Sequence, residues 1–96
     1  MNENISTLPH AVTLPLVDRA NLLAATVLEE KGDVYSPASI LLDVVSTVSD
    51  NAGFEVQLRV TREGFQLVFP QGVETDEVLF NMDRGFEVIE EMTLEV

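Results

Sequence analysis

Glu87, Glu91 and Glu95 stand four residues apart near the C-terminal end of the sequence. On a helix that spacing puts three carboxylates in one row. Such a row can hold a cation, move protons, or present charge to a basic partner. Cation binding needs convergent ligands. With no cysteine in the chain and a single histidine, His10, carboxylates alone offer at best weak Ca²⁺ or Mg²⁺ binding. The segment "DNAGFE" at Asp50 to Glu55 lacks the ligand count of a calcium loop. Acid–base catalysis needs a pocket that raises one carboxyl pKa, and no pattern in the sequence marks one. His10 is expected in a solvated loop, out of reach of a nucleophile. No glycine-rich phosphate loop is present. The expectation is a chain that is not an enzyme, with no cofactor and no metal.

That leaves charge as the chemistry. Seventeen acids face five bases, a net charge of −12 with pI near 4.1. Such a chain is repelled by nucleic acid and by anionic membranes. From Glu74 onward there are eight acids and one base. Read as a helix, this segment gathers Val78, Leu79, Met82, Phe86, Ile89, Met92 and Val96 on one side. Asp76, Glu77, Asp83, Glu87, Glu90, Glu91 and Glu95 fall opposite, and these seven are the candidate partner-binding residues. Like charges at i, i+4 cost a few tenths of a kcal/mol per pair, and glutamates late in a helix oppose its dipole. Lysine would serve solubility equally well and would pair. The expected partner is therefore a protein with a basic, nucleic-acid-binding surface, and the expected role is that of an inhibitor or adaptor.

In size, acidity and lack of cysteine the chain is similar to small phage proteins that inhibit nucleic-acid machinery, without a shared motif. As a nucleic-acid mimic one such helix face is sparse: its charges advance about 6 Å per step, against roughly 1.7 Å along a duplex. The alternative is a self-associating structural or assembly protein whose acidity serves only solubility or salt adaptation.

The elements that position this face are legible in the apolar periodicity. Residues 1–14 read as a flexible or extended arm, with a short strand at Val12 to Leu14. Residues 15–96 read as one α+β domain. Pro15 suits the first turn of a helix, and Leu16, Val17, Ala20, Leu23, Ala24, Val27 and Leu28 follow at helical spacing up to Gly32. Ser36 and Pro37 open a second helix, with Ile40, Leu41, Val44, Val45 and Val48 on a broad apolar arc that implies contacts on two sides. Then "FEVQLRV" and "FQLVF" alternate as two strands of a hairpin. An even loop would set Val60 opposite Leu67 or Phe65, so that both apolar sets share a face.

The tetrapeptide "GFEV" occurs at Gly53 and again at Gly85, as a strand start in one copy and mid-helix in the other. For 76–96 a pair of further antiparallel strands turning at "DRG" competes with the helix. The helix template explains the longer stretch, at about 1 kcal/mol for Gly85 inside it. A two-stranded hairpin is marginal alone. Either the arm or a second subunit must complete it, so a homodimer burying the hairpin or the second helix is expected. No leader pattern and no apolar run near the roughly 20 residues of a bilayer span stand out, and the expected location is cytoplasmic.

Overall fold

The computed structural model describes residues 4–94, and it is α+β. The order is β1 (Ile5–Leu8), α1 (His10–Lys31), α2 (Pro37–Asn51), β2 (Gln57–Thr61), β3 (Gly64–Pro70) and α3 (Thr75–Leu94). The two N-terminal helices, the hairpin and the C-terminal helix stand in the expected order. The helix also wins over strands in the last segment. Glu95 and Val96 lie outside the described residues.

The arm is where expectation and structure part. Its strand is Ile5–Leu8, upstream of the one read at Val12 to Leu14, and it pairs antiparallel with β3, giving the sheet order β1-β3-β2. Pro9 explains the shift. It biases Leu8 towards extended backbone, and it caps α1 itself at φ −62°, ψ 154°. Helix then starts five residues before Pro15, because Thr13 extends the buried stripe of Ala20, Leu23 and Val27 by one more step. Pro15 becomes an interior helix residue on the exposed side. There the carbonyl left without an N–H donor one turn back can be met by water.

Thr13 is buried among apolar residues, and its hydroxyl donates to the carbonyls of His10 at 2.7 Å and Phe65 at 3.0 Å. That contact fastens the first turn of α1 to β3. The other helix signals stand as read. Gly32 caps α1 in the left-handed region, and Ser36 Oγ accepts from the Ser39 N–H at 3.1 Å at the start of α2.

In the hairpin Val60 faces Phe65 and Leu58 faces Leu67. With Ser6 opposite Phe69 and Leu8 opposite Leu67, one sheet face collects Leu8, Val56, Leu58, Phe65, Leu67 and Phe69 beneath the helices. α1 lies on β3 and α2 on β2, while α3 packs against α2 and α1. The arc on α2 is broad because it meets α1, α3 and the sheet, and Ile40, Leu41, Val44, Val45 and Val48 are all buried. Both surfaces that the sequence offers to a second copy are thus largely covered within one chain: β1 completes the sheet, and the apolar arc of α2 is internal.

Candidate partner-binding face

The candidate site is the outward side of α3, and the packing of α3 decides what it displays. Val78, Met82, Gly85, Phe86 and Ile89 are its buried residues. Gly85 sits against α2: a Cβ built there would lie 3.1 Å from Val44 Cγ1 and from Val48 Cγ2, and 3.3 Å from the Val44 carbonyl oxygen. The glycine that costs the isolated helix stability is what lets the two backbones approach. Beside it runs a surface groove of about 400 Å³, lined by Thr47, Val48 and Asn51 of α2 and by Phe80, Asn81, Arg84, Gly85 and Val88 of α3.

The seven candidate acids divide into groups. Asp83 and Glu90 lie on the flank that faces α1, and both are bound by Arg19. The guanidinium donates through Nε and Nη2 to the two oxygens of Glu90, at 2.9 and 3.0 Å, and through Nη1 to Asp83. It also lies over the Phe86 ring, 4.9 Å from the centroid. The hydrogen bonds from Glu90 push the Arg19 pKa further above its ordinary value. Burial works against this, and Asp83 adds to the rise. Arg19 is charged at any working pH, and its contacts bridge α1 and α3. Both acids are thus engaged within the chain, on the α1 flank of α3.

Asp76 and Glu77 are exposed in the first turn of α3. There the helix dipole itself favours carboxylates. Glu87 and Glu91 are exposed one turn apart, with no such local support. Glu95 lies outside the described residues. Beside Glu87 and Glu91 runs the row Phe80, Arg84, Val88 and Met92. Phe80 is 59% exposed and Met92 72%, and the Arg84 guanidinium lies 5.7 Å from the Phe80 ring centroid. The outward side of α3 is therefore a mixed surface, acids along one row and large apolar groups along the next, with the groove beyond.

Sequence reasoning missed Arg19, although a signal existed. Asp18 and Arg19 are the only charged residues between His10 and Leu28. A base in so apolar a helix must have a partner when the helix packs. His10 is likewise not in a solvated loop. It opens α1, half-buried, with its ring against Gly64 and its Nδ1 buried without a hydrogen-bond partner. No group of three or more His, Cys, Asp or Glu side chains that could hold a metal occurs among the described residues. By length and composition alone α1 also passes for a membrane-crossing helix, a test that core helices of soluble proteins pass too, against the expectation that no apolar run comes near that length.

No family model, curated protein or solved structure matches the chain.

Proposed function

We propose that the chain is a non-enzymatic protein-binding module, an inhibitor or adaptor that docks the outward side of α3 on a basic surface of a partner protein. One observation carries the reading. Arg19 claims Asp83 and Glu90, whereas Glu87 and Glu91 stay exposed beside Phe80, Val88 and Met92. Among the described residues no ion pair is seen to hold acids there, and their i, i+4 repulsion and their position late in the helix both weaken α3. Exposed aromatic and Met side chains within reach of charge are the composition of an interface, apolar anchors with a polar rim. Acids of this kind act mainly on association rate and on the choice of partner.

The test is affinity capture from the native host at low salt with salt-step elution, run in parallel on the wild type and on Glu87→Gln/Glu91→Gln. The reading expects a protein retained by the wild type, released early in the salt series, and lost from the variant. Equal retention by both, with salt-insensitive elution, would reject it.

A further inference from the structure

The groove between α2 and α3 is free of acids inside and flanked by them outside. None of its eight lining residues is Asp or Glu, in a chain that has seventeen. On α2, Asp43 stands one turn before Thr47 and Asp50 adjoins Asn51. On α3, Glu87 adjoins Val88 and Glu91 follows one turn on. All four are exposed, and on each helix they fall on the outward shoulder of the lining residues. The one base in the lining, Arg84, lies over the Phe80 ring, whose face stabilises the cation. Four carboxylates thus bank a groove that holds one guanidinium, and the site attracts positive charge.

The polar groups inside the groove ask for the same chemistry. Asn51 Nδ2 donates to the Thr47 carbonyl at 2.8 Å, and Asn81 Nδ2 to the Glu77 carbonyl at 2.9 Å. A carbonyl accepts only from a donor, so these bonds fix which end of each amide is nitrogen and engage it. Thr47 Oγ1 donates to the Asp43 carbonyl at 3.0 Å. What the groove offers a ligand is chiefly oxygen: two amide carbonyls and a hydroxyl lone pair. Ammonium and guanidinium groups are the matching donors. The rest of the surface is apolar. Phe80 is 59% and Val88 41% exposed, and Gly85 and Val48 lie between the helices beside them. Two helices form the walls, and a third helix is the element that packs into such a trough.

We infer that the α2–α3 groove takes a basic amphipathic helix of the partner protein. An apolar side chain of that helix sits over Gly85 between Phe80 and Val88. Its Lys or Arg side chains meet the Asn51 and Asn81 amide oxygens and the carboxylates on both banks. The inference rests on the docking proposed for the outward side of α3 and goes further: it gives α2 half of the site and names the occupant.

The probe is a synthetic peptide of leucine and lysine in helical period, roughly 16 residues long. Its controls are the same residues in scrambled order, and spermidine. Fluorescence anisotropy gives affinities, and amide shifts of the ¹⁵N-labelled protein show where each probe binds and that each variant is folded. The wild type is expected to prefer the amphipathic peptide over the scrambled one by roughly tenfold or more. Shifts should move at Thr47 and Asn51 as well as at Gly85 and Val88. Asp43→Asn/Asp50→Asn is expected to weaken binding roughly tenfold. Glu29→Gln/Glu30→Gln, an equal change of net charge at the end of α1, should weaken it by less than about threefold. No binding at high micromolar, or no preference over the scrambled peptide, overturns the inference. So does binding that neither shifts α2 nor responds to Asp43→Asn/Asp50→Asn. That last result leaves the α3 reading standing, because Glu87→Gln/Glu91→Gln tests it separately. Spermidine bound as tightly at the same residues would overturn the inference too, and would make the groove a site for small cations.

Discussion

Arg19 grips Glu90 with two parallel hydrogen bonds, 2.9 and 3.0 Å long, across the α1–α3 junction. The fork geometry is one that lysine cannot copy. A third bond to Asp83 and the Phe86 ring beneath complete the clamp. The Arg19 side chain is only 29% exposed, so solvent screens the cluster in part.

Arg19→Ala is expected to lower stability by about 1 kcal/mol, the upper end for a partly exposed pair with a cation–π contact. It leaves two neighbouring carboxylates without their cation and uncovers the edge of Phe86. Arg19→Lys is expected to recover less than half of the loss. Urea melts at low and high salt check both, and the gap between wild type and Arg19→Ala should narrow at high salt.

Gly85→Ala sets two effects against each other. Alanine gains about 1 kcal/mol in helix propensity. The new methyl would press on Val44 and Val48, whose branched side chains have one favoured rotamer in a helix, and on a backbone carbonyl that cannot move aside. Overpacking of this kind costs about 1–3 kcal/mol. The expected outcome is a net loss near 1 kcal/mol in a thermal or urea melt. A stabilised variant would show that α2 and α3 can separate freely.

This opposition also explains what the sequence could and could not disclose. The apolar periodicity of α2 and α3, the Ser36–Pro37 start and the alternation in the hairpin are local signals, and each reports its own element. Gly85 looks like a defect locally, because its reason lies on another helix at Val44 and Val48. Asp83 and Glu90 look like free acids for the same reason: Arg19 is more than sixty residues away. The helix start at His10 was hidden by Pro15, whose preference for a first turn is real but weaker than the burial of Thr13. Of the candidate face, the charge was legible. The division between acids that hold the fold and acids that do not was set by tertiary contact.

Gly64 faces a neighbour it could not have been expected to meet. Its φ is 131°, and a Cβ there would run into the His10 imidazole. Gly64→Ala is expected to destabilise by about 2 kcal/mol, through backbone strain and displacement of the ring together. Adding His10→Ala should return only the part due to the ring. His10→Phe alone keeps a ring in place and removes a buried nitrogen that has no partner, so it should leave stability level or slightly raised. Urea melts of the four proteins separate backbone strain from packing.

Glu87 and Glu91 give the sharpest contrast with the clamp. Replacing both by Gln relieves the i, i+4 repulsions of Asp83 with Glu87 and of Glu87 with Glu91 and lightens the charge opposing the helix dipole, so stability should rise by a few tenths of a kcal/mol. Replacing Asp83 by Asn and Glu90 by Gln removes the charges that Arg19 holds and should lower stability by about 1 kcal/mol. The two double variants change net charge equally, so a general effect of acidity would move both melts in the same direction. Opposite shifts would show that one pair of acids is retained for the fold and the other against it. A residue kept at a cost to stability is the signature of a surface under another demand. If both melts rise together, self-repulsion of the whole chain explains the glutamates, and the case for a docking face on α3 falls with it.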